Sequence, residues 1–378
     1  MRLFSIGLSM LLLSACSDDP LQESNPTGPS GEPDIIELGL RLIPEGVDLH
    51  LSELSAAETD LIARGSYIIN GTAGCNGCHS SEAGYLTGGQ EFPSFLGPDI
   101  SGHATVVARN LTPHPESGMQ LTEGEFIESM RTGKDFHDSE GRDPSRLLFM
   151  PTQVYRFMIE DDLKAVYAYL QRIPPIDNAV RMDYLPGFPF PPVPSPLMSE
   201  GGDEDGSERG LLIPQLFSSG PAAERFAAQF ADNVAALSAG ERAQVGRGSY
   251  LVNAHGDCSN CHTDGIPDGL FDSGLLPQSV DVNTEAYLAG GVDIGFFFGL
   301  SGLFTRNLTP HSETGLEASE SEFVQVMRFG SDLRRPGFSL RVQPHFPADF
   351  RMTLEDLQAV YAFLRQIPPV DNSIEISP

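Results

Sequence analysis

The chain has 378 residues, enough for two ordinary domains with connecting segments. Its 52 acidic and 23 basic side chains leave a formal charge of −29, a field that repels nucleic acid and attracts basic partners. That balance argues against nucleic-acid binding.

In chain order, the opening "MRLFSIGLSMLLLSA" has one positive charge and an apolar run ending in small residues. This is the shape of a secretory signal (residues 1–15) and is too short for a membrane span. "LSAC", ending at Cys16, resembles the bacterial lipoprotein box, which implies cleavage before Cys16 and lipidation of that cysteine. At ~0.8 kcal/mol per buried methylene, two or more acyl chains anchor stably. Residues 16–50, rich in Pro, Gly, Ser and acid, read as a flexible tether. The expected location is the bacterial cell envelope, on the periplasmic side, with a lipid anchor in the membrane.

The remainder is a duplication. "LSAAETDLIARGSY" (54–67) matches "LSAGERAQVGRGSY" (237–250), and each leads to a Cys-x-x-Cys-His, "CNGCH" (75–79) or "CSNCH" (258–262). "RNLTPHPESG" pairs with "RNLTPHSETG", "EFIESMRTG" with "EFVQVMRFG", and "EDDLKAVYAYLQRIPPIDN" with "LEDLQAVYAFLRQIPPVDN". Ordered matches mean two domains of one fold, 51–178 and 237–372, followed by a tail, 373–378. Between them, residues 179–236 read as a proline-rich and acidic linker, with Phe226, Phe230, Val234 and Leu237 at helical spacing near its end.

Ser55 with Glu58 and Ser238 with Glu241 predict the start of a first helix in each copy; Thr122 with Glu125 and Ser319 with Glu322 do so for a middle one. A last helix buries Leu163, Val166, Tyr167 and Leu170, matched by Leu357, Val360, Tyr361 and Leu364, and stops at a Pro-Pro pair. Strand signals are sparse, so the expected fold class is all-α with long loops.

Apart from Cys16, the cysteines are Cys75, Cys78, Cys258 and Cys261, all within the two motifs. Cys-x-x-Cys-His is the attachment signature of c-type haem: two thiols add across the porphyrin vinyls, and the next residue, His79 or His262, is held under the iron. A thioredoxin-like pair would follow a strand in an α/β pattern, and a zinc site would space its pairs ~15–20 residues apart. Neither pattern is present, so two covalently attached haem c groups are expected.

"RGSYLVNAHGDCSNCHT", "YLAGG", "NLTPHSETG", "EFVQVMRFG" and "EDLQAVYAFLRQIPP" resemble the cytochrome c subunits that accept electrons from membrane-associated alcohol, aldehyde or related dehydrogenases in bacteria. Those subunits usually carry three haem domains, where this chain has two. The resemblance implies tandem class I cytochrome c domains with long loops wrapped on the covalently attached haem. It also implies Met150, in the Met-Pro pair of "FMPTQVY", as the sixth ligand of the first haem. The second copy has no Met-Pro pair. There Pro344 and His345 stand opposite Met150, and proline cannot ligate, so His345 is the expected ligand, with Met352, Met327 or an open iron as alternatives.

Arg109 and Arg306 are expected to meet haem propionates. His114 and His311 are assigned to the surface or the propionate side, and His103, His137 and His255 to exposed positions. Met130 and Met327 read as core filling, Met158 and Met352 as packing residues ahead of the last helix. With no catalytic constellation, the expected function is an electron carrier between redox partner proteins, such as a dehydrogenase or a terminal oxidase. The alternatives are a dihaem enzyme, peroxidase-like or thiosulfate-oxidising, with an open iron in the second domain, and a ligand or redox sensor.

Overall fold

Helices carry the fold: half of the described residues are helix and 5% are strand. The computed structural model describes residues 32–93, 105–136, 145–147, 150–181, 185–186, 204–217, 220–264, 282–294, 302–332, 340 and 351–374. The first repeat contains α1 (Ile35–Arg41), α2 (Ala56–Tyr67), α3 (Cys75–His79), α4 (Glu123–Thr132), α5 (Thr152–Tyr155) and α6 (Glu160–Arg172). The second contains α7 (Ser207–Leu212), α8 (Pro221–Ala235), α9 (Ala239–Tyr250), α10 (Cys258–His262), α11 (Glu320–Phe329) and α12 (Leu354–Leu364). Two small antiparallel ladders are described: β1 (Glu91–Pro93) with β2 (Thr105–Val107), in which Phe92 faces Val106, and β3 (Ser145–Arg146) with β4 (Leu185–Pro186).

All four capping boxes form. The hydroxyls of Ser55, Thr122, Ser238 and Ser319 accept the amide of the glutamate three residues on, and each glutamate reaches back to the cap. Such a cap contributes about 1 kcal/mol and fixes where the helix starts. At their C-terminal ends α2 and α9 widen into π-helical turns, Ile68–Thr72 and Leu251–His255, which deliver the chain to α3 and α10.

The helix crossings are set by glycine. A Cβ on Gly65 would lie 2.1 Å from the Ala165 carbonyl oxygen, and one on Gly248 would lie 1.8 Å from that of Ala359, so α2 meets α6 and α9 meets α12 backbone to backbone. Leu163, Val166 and Leu170 are buried, as are Leu357, Val360 and Leu364. Tyr167 and Tyr361 are only half-buried, because their hydroxyls donate to the Leu121 and Ala318 carbonyls at 2.9 Å.

The repeat extends further upstream than the cysteine-centred matches suggest. Within residues 16–50, α1 packs on α2 with Gly39 against Ala63; within residues 179–236, α7 packs on α9 with Gly210 against Gly246. "GLRLIP" (39–44) and "GLLIP" (210–214) are therefore the same element in two copies. Phe226, Phe230 and Val234 of α8 are buried at the expected spacing, with Phe230 edge-on to Phe363.

Residues from Pro33 onward form one compact unit, in which the repeats meet reciprocally. The Tyr67 hydroxyl donates to Asp356 and that of Tyr250 to Asp162, both at 2.6 Å. Arg247 holds Asp356 at 2.8 Å and Arg64 holds Asp162 at 2.6 Å. Each tyrosine oxygen accepts a backbone amide from the opposite repeat, that of Thr353 or Ile159. Each contact that one repeat makes to the other is therefore returned by the equivalent residues, the geometry of an isologous interface. No helix among the described residues is long and apolar enough to cross a membrane.

Candidate functional site

Each Cys-x-x-Cys-His forms a single helical turn because the residue ahead of it turns left-handed: Gly74 at φ 62° and Asp257 at φ 49°. Within such a turn the residues three and four positions on from the first cysteine share its face. That places two thiols and one imidazole together in α3 and again in α10.

None of the four cysteines is bonded to another. Burial pushes the Cys75, Cys258 and Cys261 thiols up to about 12 and raises Cys78 in the same direction. A redox dithiol needs a stabilised thiolate, so these environments are the reverse of a thioredoxin-like site.

The imidazoles are oriented from behind. His79 Nδ1–H donates to the Arg109 carbonyl at 2.8 Å, and His262 Nδ1–H donates to the Arg306 carbonyl at 2.8 Å. This fixes the tautomer and leaves each Nε2 lone pair for a metal, the usual support for a ligating histidine. Burial lowers both proton affinities and keeps the rings in the neutral, ligating form. The histidine carbonyls in turn accept the Gly88 and Gly290 amides at 2.7 Å, so the "YLTGG" and "YLAGG" loops clamp the turns. Tyr85 and Tyr287 tie the same loops to the π-helical turns through Asn70 and Asn253, at 2.7 and 2.6 Å. Among the described residues, no group of three or more His, Cys, Asp or Glu side chains gathers to hold an ion directly. The donor set fits an iron presented by a thiol-attached macrocycle.

Several expectations change here. The Arg109 guanidinium grips the buried Asp135 through two bonds of 2.8 and 2.6 Å, and that of Arg306 grips Asp332 at 2.9 Å. A protein carboxylate thus fixes each guanidinium, while the backbone carbonyls of the same residues orient the histidines. His114 and His311 serve as turn pins: their Nδ1 atoms accept the backbone amides of Ser117 and Thr314 at 3.2 and 3.3 Å.

His255, expected to be exposed, is 2% exposed. It ends the π-helical turn of the second repeat at the repeat interface, where Thr72 Oγ1 lies 2.8 Å from Nδ1 and Asp162 Oδ2 lies 3.1 Å from Nε2. The signal that finds it is register: it occupies the position of Thr72, three residues ahead of the first cysteine.

Met150 is half-buried against the core and precedes Pro151, the N-cap of α5. The Tyr155 hydroxyl donates to the Ala73 carbonyl at 3.2 Å and so ties this segment to the turn that leads into Cys75. Met130, Met158 and Met352 are buried and Met327 is partly buried, in keeping with packing roles. Cys16, His103, His137 and His345 lie outside the described residues.

No family model matches the chain. It is 26% identical over 319 residues to the cytochrome c subunit of alcohol dehydrogenase (quinone) from Gluconobacter oxydans, covering 83% of this chain and 56% of that protein. It is 24% identical over 323 residues to the gluconate 2-dehydrogenase cytochrome c subunit of Pantoea cypripedii, covering 84% and 62%. It is 23% identical over 319 residues to the fructose dehydrogenase cytochrome subunit of Gluconobacter japonicus, covering 83% and 54%. The chain thus spans little more than half the length of these relatives. Over most of its own length it resembles cytochrome c subunits of alcohol, gluconate and fructose dehydrogenases.

Proposed function

We propose that the protein is a dihaem c-type cytochrome that carries electrons between redox partners in the cell envelope. Cys75 and Cys78 hold one haem as thioethers, and Cys258 and Cys261 hold the other. His79 and His262 are the proximal ligands, Met150 is the sixth ligand at the first site and His345 at the second, and Cys16 carries a lipid anchor. The observation that supports this reading best is the repeated 2.8 Å bond from His79 to Arg109 and from His262 to Arg306. When bound, haem supplies a one-electron Fe(III)/Fe(II) couple.

The chain's own residues orient the ligands and set the direction of transfer. The Met150 thioether favours ferrous iron relative to a second imidazole, so electrons run downhill from the second site to the first. Two tandem class I cytochrome c domains, with loops wrapped on the attached haem, form the carrier. A membrane-associated dehydrogenase fits as donor by resemblance, and the net charge of −29 favours a basic docking face. The test is the ferric spectrum of the matured protein: low-spin, six-coordinate iron at both haems is expected. A high-spin fraction that binds cyanide or peroxide rapidly would contradict the carrier reading in favour of an enzyme with an open iron.

A further inference from the structure

Arg64 and Asp162 are answered across the repeat interface by Arg247 and Asp356, and Tyr67 by Tyr250. At one pair of equivalent positions in this network a titratable side chain faces one that does not titrate. Thr72 and His255 touch at 2.8 Å, and each stands three residues ahead of the first cysteine of its motif. The second repeat thereby brings an imidazole that has no counterpart in the first.

Two arginines and two aspartates cancel, so a proton on His255 is an extra positive charge in a buried setting, where charges act over longer distances than in water. The surroundings accommodate both protonation states. Neutral His255 donates Nε2–H to Asp162 and accepts the Thr72 hydroxyl at Nδ1; protonated, it donates from both nitrogens and Thr72 turns its hydroxyl round. The titratable and charged groups that face it are Asp162 of α6, Arg64 and Tyr67 of α2, Arg247 and Tyr250 of α9, and Asp356 of α12, with Tyr155 of α5 and Asp257 nearby and Asp34, Glu204, Asp205 and Glu355 on the same cleft. His255 also lines a cleft of about 450 Å³ between the repeats, which gives solvent protons a way in.

We propose that His255 is a proton-binding site linked to the haem oxidation state. An electron from the partner protein reduces Fe(III) to Fe(II) and removes one positive charge; His255 takes up one proton from solvent, and reoxidation releases both. His255 is three residues from Cys258 and in contact with Thr72, three ahead of Cys75, so it stands beside the segments that lead into both Cys-x-x-Cys-His turns. Linkage makes the effect reciprocal: protonation raises the potentials, and reduction raises the proton affinity.

This inference rests on the dihaem reading, and the experiment separates the two. Midpoint potentials of the haem-loaded protein are measured from about pH 5 to pH 8, the range of imidazole titration. In the wild type they fall as pH rises, by at most a tenfold change in electron affinity, ~59 mV, per pH unit. His255→Thr, which installs the first repeat's residue, and His255→Asn, which keeps hydrogen-bonding groups without a titrating ring, give a flat profile with both haem couples intact. If His255→Thr does not fold, His255→Asn decides. A wild-type profile that is already flat, or a slope that persists in the variants, overturns the proposal while the dihaem reading stands. Absence of a reversible haem couple at every pH overturns the dihaem reading, and this proposal with it.

Discussion

At Arg109 and Arg306 the main chain and the side chain have separate tasks: the carbonyl aims a histidine, and the guanidinium anchors the loop through Asp135 or Asp332. Truncating the opposite ligand tests the iron assignments one site at a time. Met150→Ala is expected to turn the first haem high-spin and lower its potential, with the second unchanged, as read by ferric absorption and redox titration. His345→Ala is expected to do the same at the second haem; an unchanged spectrum would exclude His345 as its ligand. The cysteine motif was legible because its chemistry is local, with thiols and imidazole inside five residues. The carbonyl partners stand 30 and 44 residues away, and every residue has a carbonyl, so no side chain marks them. His255 was misread for a related reason: alone it is one polar residue before a loop, and only the position of Thr72 in the other copy places it in the interface.

The elements divide by what defines them. The four capped helices were readable because a Ser or Thr and a Glu three residues later mark the start chemically. Helices α1 and α7, of seven and six residues, are too short to show a period and are held by packing, so their segments read as tether and linker. The crossings give a sharp prediction. Gly65→Ala or Gly248→Ala drives a methyl into a carbonyl that cannot rotate away, and is expected to cost about 1–3 kcal/mol or more in denaturant unfolding. Gly240→Ala in α9, with nothing within 4 Å of the added carbon, is expected to be stabilising by about 0.4–1 kcal/mol. Equal effects at the three sites would mean that the crossings are not set by glycine.

Across the whole molecule, the repeats are joined by two buried carboxylates. Burial alone would raise Asp162 and Asp356, but His255, Arg64 and Tyr250 hold the first well below the usual carboxylate range, and Arg247 and Tyr67 lower the second. A carboxyl lowered in the folded state contributes stability that is full above the unfolded pKa, ~3.9, and is lost as pH falls through the folded value. Unfolding free energy should therefore keep this contribution down to about pH 4 and lose it only in stronger acid. Asp356→Asn, which leaves Arg247 without its carboxylate partner, should cost about 3–5 kcal/mol at neutral pH and weaken that acid dependence. The duplication was visible in sequence, but the contact of its two halves was not, since reciprocal pairs such as Tyr67 with Asp356 lie 289 residues apart. The central claim is that each Cys-x-x-Cys-His attaches a haem. Its most direct test is the haem content of the protein after denaturation and removal of unattached haem. Two haems per chain are predicted, falling to one in Cys75→Ala/Cys78→Ala or Cys258→Ala/Cys261→Ala; a wild-type chain that gives up its haem on denaturation would contradict the account.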